Sequence, residues 1–326
     1  WPPRPGSLRP DGGCGVSTHV EVRKTYKLYI GGKFPRSESG RSYAVHAAPS
    51  RSRRPGAFLA NAAAGSRKDA RDAVVAARGA FPKWAGATAY NRGQVLYRVA
   101  EVMQGRAAQF EQEVAAAEGL TAARARATVE AAIDRWVWYA GWSDKLAQVL
   151  GGLNPVAGPY FDISAPEPTG VVAVLAPQAS SLLGLVSVLA PVIVSGNTAV
   201  LVASQDRPLP AVTLTECLAT SDVPGGVVNV ITGRTAEIAP WLASHRDVNA
   251  IDLAGATDGS NAAATADGKA VTWADLERAA ADNLKRVLRP AGSGAAAVEP
   301  DWAPTPDLSR MTAFLETKTV WHPKGR

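Results

Sequence analysis

The segment from residue 167 to residue 233 contains EPTGVVAVLAP (167–177), SGNTAVL (195–201) and VPGGVVNVITG (223–233). Residues 171–175 form a continuous apolar run, the pattern of a strand buried on both faces. A helix is expected over 182–194, a second buried strand over 198–202 and a helix over 209–221. A strand over 227–231, a helix over 236–244 and a strand over 249–253 complete the series. Strands alternating with helices of this length define a doubly wound, Rossmann-like α/β sheet.

Before this segment, residues 67–145 carry helical periodicity. Val74, Val75, Ala77 and Ala80 supply one apolar face, and Leu96, Val99, Val102 and Met103 the next. Ser66 reads as an N-cap with Asp69 completing a capping box, and Gly119 separates two helices. The aromatic run 133–142, with Trp136, Trp138, Tyr139 and Trp142, reads as a core or subunit-contact stripe. No basic residues interleave with it as a nucleic-acid stacking surface would require. Residues 26–34 predict a strand, a Gly31-Gly32 turn and a second strand, with further strands at 42–45 and 57–62. The turn-rich stretch 151–166 reads as a hairpin arm. Beyond Gly255, residues 256–269 predict a loop, 273–288 one amphipathic helix and 290–306 a linker. A short helix at 308–314 and an edge strand at 315–321 follow.

The chain has 326 residues, 46% of them hydrophobic and 20% charged, as a soluble globular protein has. Its net charge of +6 arises at one end. The first 54 residues hold eleven Lys/Arg against three Asp/Glu, so the remainder is slightly acidic. That distribution argues for a basic tail and against a nucleic-acid groove. The longest apolar run, 182–194, falls short of the roughly 20 residues needed to cross a bilayer and is interrupted by Gly184, Ser187 and Pro191. Cys14 and Cys217 give neither a disulfide framework nor a zinc spacing, and no signal-peptide layout is present, so a cytoplasmic location is expected. Residues 1–15 read as disordered, and the functional chain is expected to begin near Val16.

Seven words carry a family resemblance in order: YIGGKF (29–34), AARGAFPKW (76–84), YAGWSDKL (139–146), the three quoted above, and LETKTVWHP (315–323). The chain resembles the aldehyde dehydrogenase superfamily, and most closely the second, non-catalytic module of its two-module members. The resemblance implies a cofactor-type domain over 21–140 and 166–256 and an oligomerisation arm over 141–165 and 309–326. It leaves 1–20 as a tail and 257–308 as a remnant helix and linker. That last interval is too short for a catalytic domain on the order of 150 residues.

The resemblance also implies what is lost. Where the family carries Pro-Trp-Asn for the oxyanion, this chain has Pro177-Gln178-Ala179. Where it carries Lys-Pro-Ser-Glu for the adenosine ribose, this chain has Val202-Ala203-Ser204-Gln205. The Phe-Thr-Gly-Ser turn becomes Leu253-Ala254-Gly255-Ala256, and no Glu-Leu-Gly-Gly stretch supplies a general base. Pro177, Ser204, Gly233 and Gly255 remain as vestigial cofactor-binding positions, with Gly255 open enough for a phosphate. Cys217, inside a helix, reads as a buried structural thiol. His19, His46, His245 and His322 have no triad or metal-ligand spacing.

No catalytic or metal residue is therefore expected. The implied function is a catalytically inactive, structural or regulatory subunit, homo- or hetero-oligomeric with a complete aldehyde dehydrogenase, requiring no cofactor and binding neither nucleic acid nor membrane. Two alternatives remain open. One is an NAD(P)-dependent aldehyde dehydrogenase incomplete as given. The other is a sensor that binds NAD or NADP without turnover.

Overall fold

A computed structural model of the chain describes residues 24–49, 56–257, 265, 267–293 and 296–325. The expected tail, the start near Val16, Cys14, His19 and residues 51–55, whose three arginines read as a basic loop, lie outside the described residues.

A small three-stranded sheet comes first: β1 (Thr25–Tyr26), β2 (Ser42–His46) and β3 (Phe58–Ala63), with β3 in the middle. Five helices follow: α1 (Arg67–Ala85), α2 (Ala89–Gly105), α3 (Ala107–Glu118), α4 (Ala122–Trp142) and α5 (Leu146–Leu150). The capping box holds: Ser66 Oγ accepts from the Asp69 amide, and Asp69 accepts from the Ser66 amide. Gly119 ends α3 in the left-handed conformation. In α4, Trp136 and Tyr139 are buried, and Trp138 and Trp142 are half-buried.

Next come β4 (Gly152–Asn154), β5 (Tyr160–Pro168), β6 (Val171–Leu175), α6 (Leu183–Val194), β7 (Thr198–Val202), α7 (Leu209–Ala219), β8 (Val228–Ile231), α8 (Thr235–Ser244) and β9 (Ala250–Asp252). The described chain closes with α9 (Trp273–Ala281), β10 (Arg286–Leu288), α10 (Ser309–Thr312) and β11 (Leu315–Pro323).

The central sheet has the order β10-β9-β6-β7-β8, and all its pairs are parallel. Strand order turns back between β6 and β9, which makes that junction the topological switch point. Every residue of β6, β7 and β8 is buried, which explains their largely apolar sequences, with Thr198 and Asn229 as buried polar exceptions. One face of the sheet packs on α6 and α7, with α4 stacked outside α6, and the other on α1, α8 and α9. All twelve residues of α6 are buried, and among the described residues no helix is long and apolar enough to cross a membrane.

The second expected hairpin strand, around 30–34, reduces to an Ile30–Lys33 bridge about Gly31-Gly32, while Tyr29 pairs with Val230 beside β8. Gly32 has φ 79°, and a Cβ there would lie 2.9 Å from the Gly225 Cα, so only glycine fits this crossing.

Two expectations beyond Gly255 need correction. The single helix over 273–288 is instead α9, a turn and β10. Leu276 and Ala280 of the expected apolar side are buried in α9, whereas Leu284 takes φ 55° and is 92% exposed, so the helix does not continue through it. Val287 then enters the sheet opposite Ile251. The expected linker over 290–306 is partly a packed segment, because Ala297 and Trp302 are buried.

A third sheet, β11-β5-β4, is antiparallel, with β5 and β11 in register from Pro168↔Leu315 to Tyr160↔Pro323. Its row Leu153–Ile163–Val320 is aligned across all three strands and exposed.

Candidate functional site

In open α/β sheets the ligand crevice lies outside the carboxyl ends of the strands at the switch point. Here those ends are the loops after β6 and β9, flanked by the loops after β7 and β8.

Pro177 is buried directly after β6. Gln178 then stitches two loops together: its Nε2 donates to Ala176 O at 2.8 Å, and its Oε1 accepts from the Gln205 amide at 3.0 Å. Ser204 Oγ donates to Gln178 O at 3.0 Å, so the one residue that matches the family's ribose segment serves its own backbone. Val202, where the family has an ammonium, is fully buried in the apolar core.

Gly255 also belongs to this cluster. Its amide donates to Leu175 O at 2.9 Å, and a Cβ there would stand 2.0 Å from Ala176 O. The close approach that the glycine permits is to the chain's own strand end. Gly255→Ala is expected to destabilise the chain by about 1–3 kcal/mol with no nucleotide present, because the clash is with backbone. Denaturant unfolding of ligand-free protein measures it, and an unchanged midpoint would return the glycine to a ligand role. Gly233 packs elsewhere: with φ 137° it lies against Gly65, where a Cβ would approach the Gly65 amide to 3.0 Å.

The entrance to α6 is occupied by acidic side chains. Ala179 and Ser180 donate their amides to the two oxygens of Glu299, each at 2.8 Å. Ser181 donates its amide and hydroxyl to Glu118 at 2.7 and 2.6 Å. Glu299 also accepts from Trp302 Nε1 at 3.3 Å. At the end of β9, Asp252 is fully buried and pairs with Arg310 at 2.5 Å. Burial raises the Asp252 carboxyl above its ordinary value, and Arg310 pulls it back. Arg135, on α4, donates to Ser187 Oγ, Trp302 O and Pro304 O, and burial lowers its affinity for its proton.

Glu299, Trp302 and Arg310 were not legible as site residues. Two signals could have found Trp302 and Arg310: a tryptophan inside a Pro/Ala/Gly stretch, and Asp252 in an otherwise apolar strand. A buried carboxylate needs a partner.

The remaining chemistry is sparse. Cys217 is buried in α7, and burial pushes its thiol up to about 11 although Arg106 stands 3.9 Å from Sγ. A thiol of that kind stays protonated and is no nucleophile. His46 and His322 are exposed, His245 is half-buried, and no group of metal-ligating side chains exists among the described residues. Gln205 Oε1 and Thr235 Oγ1 are buried polar atoms without a hydrogen-bond partner. The occupied α6 entrance, Val202 and the filled cradle at Gly255 do not suit a dinucleotide extending to the switch point.

The sheet and its crevice define a doubly wound α/β domain of nucleotide-binding type, carrying an antiparallel β-arm. The profile of the Aldehyde dehydrogenase family matches residues 43–285, and the chain belongs to that family. It is 31% identical to D-glyceraldehyde dehydrogenase (NADP(+)) of Thermoplasma acidophilum over 71% of this chain and 45% of that protein. It is equally 31% identical to aldehyde dehydrogenase family 2 member B4, mitochondrial, of Arabidopsis thaliana over 74% and 44%. The crystal structure of HpcC from Thermus thermophilus superposes with a TM-score of 0.72 at 26% identity, over 82% of this chain and 48% of that one. The chain thus spans about half the length of the relatives it matches.

Proposed function

We propose that this chain is a non-catalytic, aldehyde dehydrogenase-type subunit that acts as a structural or regulatory partner of a catalytically complete relative in the cytoplasm, without needing a cofactor of its own. The observation that carries the reading is the third sheet. It is regular along nine register pairs, yet its Leu153–Ile163–Val320 row faces solvent. An aligned, exposed apolar row on a projecting sheet is the mark of a surface that meets another chain, and a free strand edge can extend a partner's sheet. The filled α6 entrance and the protonated Cys217 support the absence of turnover.

The test is reconstitution. The purified chain, mixed with a full-length family member, should elute as a hetero-oligomer in size-exclusion chromatography. Ile163→Asp, which places a charge in the middle of the row, should weaken that association by at least tenfold. A chain that stays monomeric and ignores full-length homologues would sink the proposal.

A second reading is an NAD(P)-dependent aldehyde dehydrogenase of which this sequence is a part. It is favoured by the half-length coverage of relatives, one of them named for NADP(+). Aldehyde oxidation by the purified chain, unaffected by Cys217→Ala, would support it.

A further inference from the structure

The geometry points to a resident lid: residues 297–310 span the switch-point crevice, with Glu299 latched to the loop after β6 and Arg310 to the end of β9. This goes beyond the partner reading, since it would hold for the chain alone.

Three observations converge. The first is the latch. Two consecutive amides, Ala179 and Ser180, face the two oxygens of one carboxylate at equal distances of 2.8 Å. Such a charge-assisted, two-pronged arrangement is among the stronger hydrogen-bonding geometries in proteins. It stands at the N-terminal end of α6, whose dipole favours an anion. The second is the anchor. Arg310 meets Asp252, the last residue of β9, on the other side of the switch point. The third is the span between them. Trp302 is buried against α6: a Cβ on Gly184 would lie 2.9 Å from its Nε1. The Trp302 carbonyl accepts from Arg135 at 2.7 Å, and the Arg310 guanidinium sits 5.0 Å from its ring centre. The segment therefore touches the loop after β6 at one end and the last residue of β9 at the other.

The chemistry of the latch defines what can replace it. A pair of backbone donors facing one planar, two-oxygen anion accepts an external carboxylate once Glu299 is removed. The lid thus occupies, with its own side chain, a carboxylate site at the mouth of the crevice.

Residue-resolved amide exchange by NMR on the full chain tests this. In the native protein the Ala179 and Ser180 amides should exchange slowly. In Glu299→Ala both should exchange at least tenfold faster, while Val172 and Val174 in β6 stay unchanged. Sodium formate, compared with sodium chloride at equal ionic strength, should slow the two amides again in the variant and leave the native protein unaffected. Equal exchange of the two amides in native and variant protein overturns the lid. So does acceleration that formate fails to reverse. Should β6 loosen as well in the alanine variant, Glu299→Gln, which keeps the side-chain volume, replaces it. There, unchanged Ala179 and Ser180 amides overturn the inference, and accelerated ones over an intact β6 support it.

Discussion

Arg310→Ala lowers the stability of the chain by about 3–5 kcal/mol at neutral pH, the range for removing one partner of a buried ion pair. Asp252 has no exposed surface, and Arg310 is its only charged partner in the described structure. Its other recorded hydrogen bond comes from the Ala254 amide, which cannot neutralise it. The variant leaves a carboxylate in a buried site with only the Ala254 amide to offset its lost hydration. The pH dependence follows in sign. Burial already raises the folded-state affinity of Asp252 for its proton above that of an ordinary aspartate, and removing Arg310 raises it further. An acid whose folded pKa lies above its unfolded one opposes folding increasingly as pH rises through the interval between them. The variant should therefore recover stability towards acid, with a steepest slope of about 1.4 kcal/mol per pH unit. Urea unfolding between pH 4 and pH 8 reads both effects. Asp252→Ala added to Arg310→Ala should return much of the loss, because it removes the stranded charge. A loss under about 1 kcal/mol for Arg310→Ala would mean that the pair behaves as a surface ion pair.

Trp302→Ala is expected to cost about 3 kcal/mol, the lower end for emptying a buried tryptophan site. The ring is 8% exposed and shares its apolar cluster with Met311 and Phe314. Its Nε1 donates to Glu299, and its face receives Arg310. Because the two residues touch, their losses should not add: the double variant should fall short of the sum by about 0.5–3 kcal/mol. A double-mutant cycle in denaturant measures the shortfall. Strict additivity would show that Trp302 and Arg310 fasten the segment independently.

Much of the fold was legible because burial on both faces leaves a plain trace. Val171–Leu175 and Thr198–Val202 are apolar at every position, or nearly so, and lie in the sheet as expected. Ser66 and Asp69 announced a helix start through local chemistry alone. The strand Arg286–Leu288 was not legible. Three residues are too few to show a period of two, and the apolar positions of a preceding amphipathic helix ran into them. The packed part of 290–306 was hidden for a different reason. Its composition is that of a linker, and its order comes from partners distant in sequence: Arg135 for Trp302, and the Ala179 and Ser180 amides for Glu299. At the candidate site, the substitutions at Ala179 and Val202 could be read directly, whereas the occupant of the α6 entrance could not. The packing of Gly255 against Ala176 O could not be read from sequence, since close approach to a backbone oxygen and to a phosphate oxygen ask the same of a residue.

The pairing of β5 with β11 sets Pro168 beside Leu315, so everything between them is a closed loop whose two ends are already joined. Closure entropy grows only with the logarithm of loop length, so doubling the enclosed chain costs about 0.6 kcal/mol. The stretch between β9 and α10 lies inside that loop. Of that stretch, β10 pairs with β9, and Leu276, Ala280 and Trp302 are buried, so added chain is accommodated only between these packed pieces. The β5–β11 pairing thus fastens the two ends of the loop to each other, independently of how much chain lies between them.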